Sequence, residues 1–264
     1  MNRVRGLTVA LAALALAATA LAGWVAPAAR WPARLGLLFL LPMAAGAIAS
    51  ILLPRSAKRL GSSARVLGTS RYPGLLAIAI AFDLGAIGAG YALGWTTFTY
   101  GEQTLEAWKL FAVPLALPFT IAVATLGAEW ALHARLWEVA KRASSTEAAS
   151  LVAVGTGALL ALPAIAPGFA IVDRHYVASA LAIAILREVT ALRLFRTGGL
   201  FVAGAYRGVL IAFEGFGIAD WYSFYFPMAN YVSSAPAFYA LRALGPAAAL
   251  ALVLVATRAR TVEA

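Results

Sequence analysis

The chain has 264 residues, of which 62% are hydrophobic and 12% charged, with a net charge of +10 and a mean hydropathy of +0.84. Soluble domains run near half apolar and a quarter charged, so a water-soluble fold of this length is excluded: its few charges could not cover so much apolar surface. The absence of cysteine excludes disulfides, thiolate metal sites, iron–sulfur clusters and cysteine nucleophiles.

The apolar residues come in blocks about twenty long, the length that crosses the hydrocarbon core of a bilayer. Backbone groups in lipid must be satisfied internally, which makes the blocks helices, and the alternation of a transmembrane barrel is missing. The expected fold is all-α: a polytopic transmembrane helix bundle of about eight spans, residues 1–264 forming one integral membrane domain.

In chain order the spans are expected near 6–28, 34–54, 73–95, 108–132, 148–172, 176–196, 199–219 and 237–257. The first has a rival reading. Asn2-Arg3-Val4-Arg5, an alanine–leucine run and Val25-Ala26-Pro27-Ala28-Ala29 resemble a signal peptide, whose removal would leave seven helices. Retention is favoured because the alternation of loop charge works with the span kept. Arg3 and Arg5 precede it; Arg55, Lys58, Arg59, Arg65 and Arg71 follow the second span. Arg135, Lys141 and Arg142 follow the fourth, Arg193 and Arg196 close the sixth, and Arg258 and Arg260 close the eighth. The intervening loops are poor in positive charge. Basic loops stay cytoplasmic, which places the protein in the cell membrane with both termini inside. Topology thus explains the positive charge better than nucleic acid does, and the bilayer is the first expected partner. Residues 220–236, rich in aromatics from Trp221 to Phe226, are expected to form an external interfacial segment.

One internal echo stands out. Ile80-Ala81-Phe82-Asp83, with Ile87 and Tyr91, matches Ile211-Ala212-Phe213-Glu214, with Ile218 and Tyr222. Pro114 and Pro246 add a weaker correspondence. Chance similarity between apolar helices competes with a parallel 4+4 duplication of halves 1–132 and 133–264. Charges at bilayer depth cost at least about 2.5–3.5 kcal/mol and usually face the bundle interior. The candidate substrate- or ion-binding residues are therefore Asp83, Glu214, Arg207, Tyr91 and Tyr222. Two acids brought together would suit a cation or a coupled proton. Against this, a buried acid often serves only to tie helices together, and Arg242 is an available partner for Asp83. Glu129 and His133 share a helix face and could form a metal or proton-transfer pair, but their expected place at the cytoplasmic end of the fourth span favours a solvated helix end. Arg187, Glu188 and Arg193 are expected where the sixth span leaves the membrane, as snorkelling side chains and a local ion pair. His175, beside Asp173, falls in an external turn.

No catalytic motif appears. His-Glu-x-x-His is absent, Gly217-Ile218-Ala219-Asp220 only approximates the intramembrane aspartyl pattern, and the last span lacks a retinal-binding lysine. With two histidines and no cysteine, no metal site is expected, and a cofactor is left open. No loop exceeds about twenty residues, too short for a phosphate-cradling nucleotide domain. The favoured expectation is a transporter or permease-like protein moving a small solute or ion between two four-helix halves. The alternatives are a non-catalytic membrane subunit of a respiratory or ATP-driven complex, whose partners would include an ATPase subunit, and a lipid-acting intramembrane enzyme.

Overall fold

The computed structural model describes residues 2–24, 30–53, 71–95, 125–169, 174–217 and 236–258. Among the described residues the chain is all helix, with no strand. Eight helical runs follow one another: α1 (Asn2–Trp24), α2 (Arg30–Leu52), α3 (Arg71–Ala92), α4 (125–143), α5 (Thr146–Phe169), α6 (Arg174–Gly198), α7 (Leu200–Gly217) and α8 (Pro236–Ala256). Alanine and leucine, the strongest helix formers, dominate these segments.

Seven runs lie within a few residues of their expected positions; α4 does not. It continues eleven residues beyond the expected end at Leu132, to Ala143, and its centre, Trp130–Trp137, is wound as a π-helix. The basic residues Arg135, Lys141 and Arg142 that suggested a loop sit on the helix itself. Lys141 lies over the Trp137 ring at 5.2 Å and Arg135 over the Trp130 ring at 4.7 Å, so these cations are accommodated by aromatic faces while the helix continues.

The links between helices follow from local chemistry. Gly199, at φ +88°, is the single residue between α6 and α7, and its N–H donates to the Phe195 carbonyl at 2.8 Å. Only glycine adopts that left-handed turn without strain. Ser145 caps α5, its hydroxyl accepting from the Ala148 N–H at 3.2 Å. In the first turn, hydrogen bonds from its own backbone and from Ser145 hold the exposed Glu147 carboxyl below the usual carboxylate range.

Helix α4 is the centre of the bundle, packed against α1, α2, α5 and α7. Helix α6 packs against α5, α7 and α8, and α3 against α7 and α8. Glycine permits two close crossings. A Cβ on Gly46 of α2 would stand 2.9 Å from Gly127 Cα of α4, and one on Gly245 of α8 would stand 2.9 Å from the Phe82 carbonyl oxygen of α3. Small residues at such points let helix backbones touch, as is common between apolar helices.

Four helix ends gather at one end of the bundle. The Tyr72 hydroxyl donates to the Thr197 carbonyl at 2.9 Å, joining α3 to α6. Arg193 donates to the hydroxyl and carbonyl of Thr257, both at 2.8 Å, joining α6 to the end of α8. Arg196 reaches over the Trp137 ring at 5.5 Å, joining α6 to α4.

Large apolar side chains stand on the outside while several ionisable ones are buried. Ile51, Leu151 and Val255 are 76%, 75% and 73% exposed, whereas Asp83 and Glu188 are 3% exposed and Glu129 and His133 are fully buried. Among the described residues, two helical stretches, Arg3–Leu21 and Tyr72–Gly90, are long and apolar enough to cross a membrane, and only 22% and 29% of them is buried. The core helix of a soluble domain would be mostly covered. Shorter apolar helical stretches are Leu40–Leu52, Thr146–Ala161, Leu200–Leu210 and Ala240–Ala256.

Candidate functional site

The tight reversal at Gly199 makes α6 and α7 antiparallel neighbours, and each presents two consecutive polar residues to the interior. Helix α6 supplies Arg187 and Glu188; helix α7 supplies Tyr206 and Arg207. Arg187 binds Asp83 of α3 through two nitrogens, its Nε donating to Oδ2 at 2.9 Å, and the Tyr206 hydroxyl donates to the same oxygen at 3.2 Å. Arg207 spans two carboxylates: its Nε donates to Glu129 Oε1 on α4, and its Nη2 to Glu188 Oε2 on α6. Glu129 Oε2 meets His133 Nδ1 at 2.5 Å.

The π-helical turn of α4 carries His133 of this second group and begins just after Glu129. A π segment inside an α-helix is rare and often marks a functional position. Here it buries residues on most of its circumference, from Ala131 to His133 and from Arg135 to Trp137. The His133 ring packs on Phe195 of α6, with centroids 5.4 Å apart. Its Nε2 is buried without a hydrogen-bond partner among the described residues. On α5, Gly157 leaves room for Glu188: any Cβ there would run into the glutamate carboxylate, which Arg207 pins. Gly204 of α7 lies beside Glu129, whose Cγ would be 3.8 Å from an added Cβ.

The depth of these groups follows from helical rise, about 1.5 Å per residue. From the Gly199 end, Glu188 lies ten residues before Gly198, roughly 15 Å away, and Arg207 seven residues after Leu200, roughly 10 Å away. His133 is ten residues before Ala143, roughly 15 Å, and Asp83 twelve after Arg71, roughly 18 Å. The two groups therefore lie at similar depth, well inside the bundle.

Of the residues expected at the site, Asp83 and Arg207 are in this network. The side chains of Glu214 and Tyr91, and all of Tyr222, lie outside the described residues, as does segment 220–235. The helices that carry the internal echo, α3 and α7, are neighbours. Two expectations are corrected, and a third is supplemented. Glu129 and His133 are fully buried, because α4 continues past them instead of ending there. Arg187 and Glu188 lie deep in α6, eleven and ten residues before its end at Gly198, and turn inward to partners on α3 and α7. Asp83 is held by Arg187 and Tyr206; Arg242, offered by sequence as its partner, is buried on α8.

The sequence carried signals for the missed residues. Glu129 and His133 stand at i and i+4, on one helix face, and Arg187-Glu188 is an adjacent charged pair within an apolar segment. Nothing in the spacing shows that Arg207 bridges acids from two other helices. Among the described residues, no three histidine or carboxylate side chains gather as metal ligands. Comparison with family models, with curated proteins and with solved structures gives no match.

Proposed function

We propose that the chain is a multi-pass membrane transporter or permease-like protein, its eight helices crossing the bilayer, that moves a small solute or ion past the Glu129–His133–Arg207–Glu188 network. The observation that carries this reading is the pairing of large exposed apolar side chains with bonded, ionisable ones at mid-depth. Each charge at bilayer depth costs at least about 2.5–3.5 kcal/mol, so such residues usually face the bundle interior and mark substrate or ion pathways. A depth of roughly 10–18 Å from the Gly199 end is near the middle of a hydrocarbon core about 30 Å thick. The gathering of Arg193, Arg196, Lys141 and Arg258 near one end supports a cytoplasmic assignment for it.

Proteoliposomes test this. Uptake of a panel of labelled amino acids, sugars and organic cations is measured for the wild type and Glu188→Gln. The expected outcome is accumulation of at least one solute by the wild type and its loss in the variant. Equal uptake by both, or uptake of none, would count against transport.

A second reading rests on Asp83. Because that acid is closed by direct bonds to Arg187 and Tyr206, it suits an interhelical tie in a non-catalytic membrane subunit of a larger complex. Purification from native membranes in mild detergent separates the readings: a stoichiometric partner that stays bound through gel filtration favours the subunit.

A further inference from the structure

We propose that the helix ends around Trp137 form a binding site for the phosphate of an anionic phospholipid headgroup, with Lys141 and Arg196 as its principal contacts. The inference rests on the bilayer-crossing part of the proposed function and is independent of transport. Trp137 is the platform. It is buried, its Nε1 donates to the Ser150 hydroxyl of α5 at 3.2 Å, and its ring meets Phe195 of α6 edge-on, with centroids 6.1 Å apart. Contacts on two neighbouring helices therefore fix the indole. Lys141 of α4 and Arg196 of α6 both stand over that ring, 5.2 and 5.5 Å from its centroid, and both are exposed. Two cations from different helices are thus held beside one rigid aromatic face, where their mutual repulsion is relieved by an anion that meets both.

The surroundings add positive charge. Arg193 lies one turn before Arg196 on α6 and is tied to Thr257, which brings Arg258, the next residue, to the same end. Arg142 follows Lys141 on α4. The ends of α4, α6 and α8 and the start of α5 thus hold five cations, Lys141, Arg142, Arg193, Arg196 and Arg258, against two acids among the described residues, Glu138 and Glu147. Counting both acids in full leaves three positive charges in surplus. Glu147 is near enough to Arg196 for the guanidinium to act on its carboxyl, so it competes with an incoming phosphate. The apolar side chains beside these charges identify the source of that phosphate. Exposed Val255 accepts from the Arg258 N–H at 3.3 Å in the same turn, and exposed Leu151 stands one turn after Glu147 on α5. A soluble phosphate gains nothing from such neighbours. A phospholipid lays its acyl chains against them while its phosphate meets the basic helix ends.

Native mass spectrometry of the full-length protein tests the site. Released from detergent micelles holding equal amounts of phosphatidylglycerol and phosphatidylcholine with identical acyl chains, the wild type should retain phosphatidylglycerol preferentially. The preference should fall at least about tenfold in the double variant Lys141→Gln/Arg196→Gln, since each basic residue at a membrane surface strengthens binding to anionic lipid severalfold. Lys141→Gln alone, at an exposed position, should lower it about threefold or more, which keeps the test decisive where the double variant is unstable. Glu147→Gln, by removing the competing acid, should raise it. Equal retention of the two lipids by the wild type overturns the proposal, as does an unchanged preference in folded Lys141→Gln or a lowered one in Glu147→Gln. Glycerol 3-phosphate carries the same anionic group without acyl chains; its displacing phosphatidylglycerol would make this a site for a soluble phosphate and overturn the lipid assignment. Failure here is separable from failure of the membrane reading. A chain that resists extraction from membranes by alkaline carbonate but holds both lipids equally loses only this site, whereas one that is extracted loses the bilayer-crossing reading itself.

Discussion

Among the described residues the interior holds two ionic groups that share helices α6 and α7, and they differ in completeness. Around Asp83, the carboxylate meets the Arg187 guanidinium and the Tyr206 hydroxyl, contacts that link α3, α6 and α7. Around Glu129, two carboxylates share one guanidinium, a histidine is drawn in, and one ring nitrogen has no partner among the described residues. The consecutive pairs Arg187-Glu188 and Tyr206-Arg207 feed one residue to each group. The difference is therefore not one of location or burial. In the first, both oxygens of the acid are held by partners on other helices, which suits a tie; in the second, the buried Nε2 of His133 has no partner among the described residues, which suits a ligand.

Variants can break or sharpen this contrast. The largest effect is expected for Arg207→Gln, which leaves Glu129 and Glu188 buried without their shared cation. Removing one partner of a buried ion pair costs about 3–5 kcal/mol, read as a lower unfolding midpoint in detergent. A variant as stable as wild type would mean the bridge does not hold the core. Asp83→Asn should cost less, about 1.5–3 kcal/mol, because the amide oxygen still accepts from Arg187 while the charge assistance is lost. Its folded fraction should retain solute uptake; loss of uptake in a stable Asp83→Asn protein would transfer the functional role to the closed group. Tyr206→Phe removes a single 3.2 Å hydrogen bond and should cost about 0.5–1.5 kcal/mol, with uptake unchanged.

The smallest effect belongs to Glu147, remote from both groups. Its carboxyl lies below the ordinary range in the folded protein, so its contribution is fully present above the unfolded value near 4.5 and fades as pH falls through the folded one. Glu147→Gln should slightly reduce acid sensitivity without altering uptake, checked by midpoints at pH 7 and pH 4. Increased acid sensitivity would contradict the sign.

Much of the architecture was legible in the sequence. Apolar block length placed seven of the eight described helical runs to within a few residues. Asp83 and Arg207 stood out because charge is rare within such blocks. What escaped was of two kinds. Arg135, Lys141 and Arg142 look like a loop, yet the helix runs through them, with Arg135 and Lys141 lying over Trp130 and Trp137 of the same helix; that error moved Glu129 and His133 from the interior to a boundary. The bridge from Arg207 to acids on α4 and α6 depends on helix rotation and crossing, set by contacts such as Gly46 on Gly127 and the one-residue link at Gly199, which no linear pattern encodes.

The central claim is that the apolar exterior faces lipid while the charges face inward, and the cysteine-free chain makes it directly measurable. Phe82 is 52% exposed at the depth of Asp83, and Ser144 is exposed between α4 and α5. In sealed vesicles with their cytoplasmic face outward, a charged, membrane-impermeant maleimide should label Ser144→Cys readily. It should leave Phe82→Cys untouched until the membrane is dissolved in denaturing detergent. Labelling of Phe82→Cys as fast as Ser144→Cys in the folded, membrane-bound protein would contradict the account.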